Sequence, residues 1–320
     1  MNSTELTLAF PLKSRSALQG QESLQSLEVF AFLPLRSYGF RFLVQADWLV
    51  PSGREAVDHS SGWNDWLRSQ IPDLFISAVR IIIEKAARAL EVSKLRSAVL
   101  KDDHDGGDDS DDESNLESEA SSTEALVGDE TTRSNAILLL DNLYAVIPAV
   151  GDLVEYFHKT ADQIIALLSE TRLILTDETT FVTPSEAVLR PLDDSAVRRT
   201  EGFLAHLGLR FVAADVSLPT KVASALRVRP WGAKLLVDIL AEELRSFTDK
   251  TANKSEKYGL HEHFSFLAWI LGEISQAGHL TESGQLLRLE KLPCIPLASG
   301  ELTSVSEVMG SLPKKTCLFF

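Results

Sequence analysis

An α+β fold follows from three features of the sequence. Aromatic and aliphatic residues alternate with polar ones between Glu28 and Val50, helically spaced apolar residues fill most of the later chain, and two short apolar pieces with polar turns interrupt those helices. The expected architecture is a set of N-terminal antiparallel strands with a long helix, then a mainly helical region with short β-hairpins. The expected domains are an α+β segment at residues 1–98, a disordered acidic insertion at 99–133 and a helical region at 134–320.

The strand region comes first. Phe30, Phe32 and Leu33 precede a turn at Ser37, Tyr38 and Gly39, and Phe40, Phe42 and Val44 alternate with Arg41, Leu43 and Gln45 after it. That pattern predicts an antiparallel pair, Val29–Leu35 with Phe40–Trp48. After a polar loop, Leu67, Ile71, Leu74, Phe75, Ala78, Val79, Ile82 and Ile83 recur at helical spacing and predict a buried helix from Trp63 to Leu95, broken at Pro72. From Lys101 to about Thr132 the chain is rich in Asp, Ser and Gly with few apolar residues, too little to offset the entropy of folding. Beyond Ser134, helices are expected at Asn135–Ile147, Gly151–Ser169, Ser195–Leu207, Gly232–Phe247, Leu260–Ala277 and Glu282–Leu289.

Two interruptions of those helices repeat one pattern. ILTDETTFVTPSEAV from Ile174 and IPLASGELTSVSEV from Ile295 align without a gap at an offset of 121 residues. Each reads as strand, turn, strand and helix start, with Thr183 or Ser304 as N-cap and Glu186 or Glu307 completing a capping box.

Of the net charge of -15, one segment carries -12. Lys101–Glu130 holds 13 carboxylates against one lysine, whereas the other 290 residues hold 30 basic and 33 acidic side chains. The charge therefore says little about partners of the folded parts. Those parts show no cluster of Lys and Arg interleaved with aromatics, so no nucleic-acid partner is expected. Cys294 and Cys317 cannot make a disulfide framework, and a reducing compartment is the simpler reading. The N-terminus lacks a signal-peptide pattern. The most apolar stretch, Ala136–Val150, is interrupted by Asp141, Asn142 and Pro148, so no membrane partner is expected and the location is read as intracellular, cytoplasm or nucleus. The apolar tail at Cys317–Phe320, directly after a helix start, leads us to expect a fragment.

Catalytic signatures are sparse. There is no Walker loop, no GxGxxG after a strand, no GxSxG and no HExxH. His261 and His263 lie two apart and would point to different faces of a helix, and Cys294, between Pro293 and Ile295, reads as a core residue. The DHDGG string from Asp103 lacks a scaffold to hold a cation. One exposed constellation remains: Pro51, Ser52, Gly53, Arg54 and Glu55 at the end of a strand. Arg54 could turn its planar fork to a phosphate, or pair with Glu55, Asp58 or Asp65 and support the following helix.

At these residues a family resemblance appears. FAFLPLRSYGFRFLVQADWLVPSGREAVDHSSGWNDWL, Phe30 to Leu67, resembles the region that follows the ATPase module in the NO VEIN family and, more distantly, the corresponding pattern of sacsin. TFVTPSEAVL, FLAHLGLRFV and WGAKLLVDIL, between Ile174 and Leu240, are similar to the same family's downstream region. The resemblance implies an ATP-binding module of the GHKL type before residue 1, akin to that of the ninety-kilodalton heat-shock chaperones. It also implies a role for Arg54, whose Arg-Glu pair after Pro51 matches a chaperone loop that reaches the nucleotide's terminal phosphate, although Gly53 stands where that loop has serine. The metal-binding Asn helix and DxGxG loop of a GHKL site are not recognisable in this sequence.

The expectation is therefore a non-catalytic portion of a NO VEIN/sacsin-like, chaperone-like ATPase protein. It has no cofactor of its own, ATP-Mg being implied only for the upstream module, and its partners are that module and protein clients. One alternative is a stand-alone interaction scaffold with a structural Arg54. Another is a binder of basic proteins through the acidic segment.

Overall fold

In a computed structural model of the chain, the described residues are 4–19, 25–53, 55–102, 116–191, 194–252, 268–275, 284–296 and 302–311. The fold is α+β. It divides into two compact units, Met1–Val188 with Leu204–Val228, and Leu189–Phe203 with Arg229–Phe320.

The first unit is built on a four-stranded sheet of β1 (Leu6–Ala9), β2 (Glu28–Ala31), β3 (Leu33–Ser37) and β4 (Leu43–Ala46), in the order β1-β4-β2-β3. β1 runs antiparallel to β4, β2 antiparallel to β3, and β2 parallel to β4. This corrects the expected pair of Val29–Leu35 with Phe40–Trp48. The tight turn falls between β2 and β3 at Phe32, which adopts a positive φ of 61°. The chain then crosses from the edge strand β3 to the far side of β2 through residues 38–42. Pro34 sits on the edge strand, where its missing N–H is tolerated. The crossover is driven by burial: Tyr38, Phe40 and Phe42 are all fully buried. Gly39, at φ +95°, lets it pass the backbone of Asp152, because a Cβ there would collide with the Asp152 carbonyl.

Behind the sheet, α2 (Gly62–Asp102) packs against α3 (Leu116–Val146) and α4 (His158–Ser169), α1 being the short helix Arg15–Gln19. Pro72 does not break α2; Ile71, Phe75, Ile76 and Val79 are buried on both sides of it, and this packing outweighs the lost backbone bond. Residues 116–133, read from sequence as part of an unfolded insertion, are the first half of α3, where Leu, Glu and Ala recur and favour helix. The expected helix at Gly151–Ser169 begins later, with one 3₁₀ turn at Glu155–Phe157 before α4. A chain of aromatic contacts, Phe10–Phe75 at 5.6 Å, Phe75–Phe42 at 5.0 Å, Phe42–Phe40 at 5.1 Å and Phe40–Phe157 at 5.1 Å, joins the sheet region to the helices. Asn142 and Asp141, which interrupt the apolar run, hold other segments: Asn142 bonds both Lys13 backbone groups, at 2.7 and 3.0 Å, and Asp141 accepts the Ser217 N–H at 2.7 Å.

The first hairpin pairs β5 (Ile174–Leu175) with β6 (Phe181–Val182), followed by a 3₁₀ turn at Pro184–Glu186 and β7 (Ala187–Val188). After α5 (Asp194–His206), β8 (Arg210–Phe211) pairs in parallel with β7, and α6 (Thr220–Ala225) follows. The second unit contains α7 (Ala233–Ala252), the helix 268–275 (α8) and α9 (Gln285–Lys291), with Arg288 paired to Asp238 at 2.8 Å. It then carries the hairpin of β9 (Ile295–Pro296) and β10 (Leu302–Thr303), and α10 (Val305–Ser311). Ile174 faces Val182 and Ile295 faces Thr303, so at the offset of 121 the two hairpins share one register. Among the described residues no helix is long and apolar enough to cross a membrane.

Candidate functional site

The candidate site is the loop that leaves β4 and enters α2. Its ends are held together by one side chain. Asn64, fully buried in the first turn of α2, accepts the Leu49 N–H at 2.9 Å through Oδ1 and donates through Nδ2 to the Leu49 carbonyl at 2.8 Å and the Asp58 carbonyl at 2.9 Å. The Asp58 N–H closes the same ring by donating to the Leu49 carbonyl at 2.9 Å. Inside the loop, the Val57 N–H donates to the Tyr38 hydroxyl at 3.0 Å. Burial pushes that phenol up from its ordinary value. The indole N–H of Trp48, buried at the root of the loop, has no hydrogen-bond partner among the described residues.

Beside this root lies a second cluster. The His59 ring stacks on Tyr156 at 4.8 Å and 11°, and the Arg68 guanidinium sits 4.2 Å from the centre of the same ring. The Tyr156 hydroxyl donates to Asp65 at 2.8 Å, and Arg68 completes the group with a 3.0 Å ion pair to Asp65 and a 2.7 Å bond to the Tyr156 carbonyl. Burial and the Asp65 carboxylate push the Tyr156 phenol far up, so it remains a donor.

The structure thus places Pro51, Ser52, Gly53 and Glu55 on an exposed tip above a tightly bonded root. Arg54 itself lies outside the described residues. Two carboxylates that the sequence offered as its structural partners have other engagements: Asp65 with Arg68 and Tyr156, and Asp58 with the hydroxyl and N–H of Ser60, which hold its carboxyl below the ordinary range. Flanking the loop, Leu49, Trp63 and Trp66 are 53%, 40% and 47% exposed, and the two indoles pack 5.2 Å apart. The Trp63 indole N–H donates to the Asp47 carbonyl at 2.9 Å, which fixes the pair against the end of β4.

Sequence reasoning singled out the arginine loop and passed over Asn64, His59, Arg68 and Tyr156. The WN pair at Trp63–Asn64 was the available signal for the first of these. Cys294 is buried, and burial pushes its thiol up. His261, His263 and the DHDGG string lie outside the described residues. Among the described residues no three His, Cys, Asp or Glu side chains gather where a metal ion could sit.

Protein NO VEIN of Arabidopsis thaliana is 26% identical to the chain over 321 residues, an alignment covering 96% of the chain and 10% of that protein. The chain is therefore NO VEIN-like over nearly its whole length, while it spans about a tenth of the curated relative it matches. No family model matches the chain, and no solved structure matches it.

Proposed function

We propose that this chain is a non-catalytic portion of a NO VEIN-like protein. In this reading the loop between Leu49 and Asp58 turns Arg54 toward the terminal phosphate of a nucleotide held by a GHKL-type ATPase module outside the chain. The observation that carries it is the contrast within the loop: a root closed by three Asn64 hydrogen bonds beneath a tip on which Pro51, Ser52, Gly53 and Glu55 are all exposed. An arginine that contributes to phosphoryl transfer must be held in position while its guanidinium stays free to meet charge, and a rigid root with an open tip meets both needs. Magnesium and ATP belong to the module in this reading. This chain supplies one guanidinium, which stabilises charge on the transferring phosphoryl group.

The test is to supply the upstream module of such a protein in cis or in trans and measure ATP turnover. Arg54→Ala should lower turnover about a hundredfold or more while nucleotide binding by the module changes little, and Arg54→Lys should recover part of the loss. Equal turnover of Arg54→Ala and wild type would end the phosphate assignment.

A second reading is favoured by the exposed Trp63, Trp66 and Leu49: a protein-interaction scaffold in which Arg54 is structural. Exposed paired indoles at the end of a rigid strand suit capture of a protein client. Under that reading Trp66→Ala weakens client capture, and Arg54→Ala leaves turnover unchanged.

A further inference from the structure

The two hairpin-and-cap segments share a register but not their surroundings. In the first, Ile174, Leu175, Ala187 and Val188 are all at most 1% exposed. A later segment, Arg210–Ala213, closes the open backbone edge of this unit. It pairs in parallel with β7, Ala187 with Arg210 and Val188 with Phe211, and bridges antiparallel from Val212 to Thr176. Its Ala213 N–H donates to the Leu175 carbonyl at 3.0 Å, and its Val212 N–H donates to the Val188 carbonyl at 2.9 Å. The hairpin, the inserted strand and β7 thus form one continuous hydrogen-bonded surface.

In the second segment the same offset puts Ile295, Val308 and Met309 where the first has Ile174, Ala187 and Val188. Ile295 and Val308 are only half-buried, and Met309 is 62% exposed. Among the described residues β9 has β10 as its one strand neighbour. Residues 305–311 form α10, where the first segment makes a single 3₁₀ turn and then the strand β7. Both segments keep the reciprocal cap: Glu186 accepts the Thr183 N–H at 2.8 Å, and Glu307 accepts the Ser304 N–H at 3.1 Å while its own N–H donates to the Ser304 hydroxyl at 3.2 Å.

We propose that the β9–β10 hairpin is an acceptor for one further strand, and that its occupant is an extended segment with the chemistry of Arg210–Ala213: a long basic side chain, an aromatic, a β-branched residue and a small one. The strand enters antiparallel to β9 and bonds the Pro296 carbonyl, the counterpart of the Leu175 carbonyl. Pro296 loses nothing by lacking an N–H, because the Leu175 N–H points to the Tyr144 hydroxyl at 3.4 Å and not to a strand. Val308 and Met309 leave the seven-residue α10 and pair with the incoming strand, as Ala187 and Val188 do with β8. A helix so short holds little stability of its own against that exchange. The occupant covers Ile295 and Met309, the apolar groups that this half of the repeat leaves open.

The probe is a fluorescent peptide with the sequence of residues 207–216, LGLRFVAADV, carrying a photoreactive group at the position of Phe211 and titrated into the full chain. A peptide of scrambled order serves as control. The expected result is saturable binding, with photoadducts at residues 294–296 or 302–309. Ile295→Asp and Met309→Asp should each weaken binding by about tenfold or more, since each puts a charge where an apolar group is to be covered. Met309 is exposed, so its substitution leaves folding intact, as far-UV circular dichroism will check for both variants. Absence of saturable binding, equal binding of the scrambled peptide, adducts confined to residues 174–188, or unchanged affinity for Met309→Asp would overturn the proposal.

Discussion

Replacing Asn64 by Ala should loosen the arginine loop at its root. The substitution removes three hydrogen bonds of 2.8–2.9 Å from a side chain with no exposure to solvent. At about 1 kcal/mol for each, the expected loss of stability is about 3 kcal/mol. The Leu49 carbonyl keeps the Asp58 N–H, so the groups left bare are the Leu49 N–H and the Asp58 carbonyl. Asn64→Asp sharpens the test. Its carboxylate can still accept from the Leu49 N–H, but it turns a second acceptor toward the Leu49 and Asp58 carbonyls, so the variant should be at least as unstable as Asn64→Ala. Urea unfolding followed by circular dichroism gives the stability change, and amide exchange reports the loop. A loss of about 3 kcal/mol confined to the loop root corresponds to roughly hundredfold faster exchange at the Leu49 N–H. If Asn64→Ala stays within about 1 kcal/mol of wild type and Leu49 exchange is unchanged, Asn64 is not what holds the loop.

Two further perturbations probe other joints of the fold. Gly39→Ala should cost about 3 kcal/mol or more in urea unfolding, from a positive φ that disfavours a Cβ together with a collision against the Asp152 backbone that no side-chain rotation can relieve. The Glu186 cap should leave a pH signature: the Thr183 N–H and hydroxyl hold its carboxyl below its ordinary value of 4.5, so its contribution is complete above that value and lost as pH falls through the lowered one. The difference in urea midpoint between wild type and Glu186→Gln should therefore be present at about pH 7 and shrink as pH falls below 4.5.

How far the sequence could be read depended on how local each cause was. The α+β class, the long helix over α2 and most later helices follow from periodicity, a property of neighbouring residues. The cap pairs Thr183–Glu186 and Ser304–Glu307 were legible for the same reason, since both partners lie within one turn. The N-terminal sheet was not. Alternation from Phe30 to Val44 is satisfied by a simple hairpin and equally by a crossover that makes β2 and β4 parallel, and the choice lies in the burial of Tyr38, Phe40 and Phe42. Pro72 misled because its local cost is visible in sequence while the packing that offsets it is not.

The site divides along the same line. The sequence by itself determined that an exposed loop with Arg54 beside proline and glycine follows a strand, and that a hairpin with a glutamate cap occurs twice. Only the tertiary structure decided that Asn64 closes the loop by reaching carbonyls 15 and 6 residues away, that Asp65 is engaged by Arg68 and Tyr156, and that one hairpin is covered by a later strand while the other leaves Met309 exposed. A hydrogen-bond partner or a covering strand is set by where distant segments meet, and periodicity along the chain carries no record of that meeting.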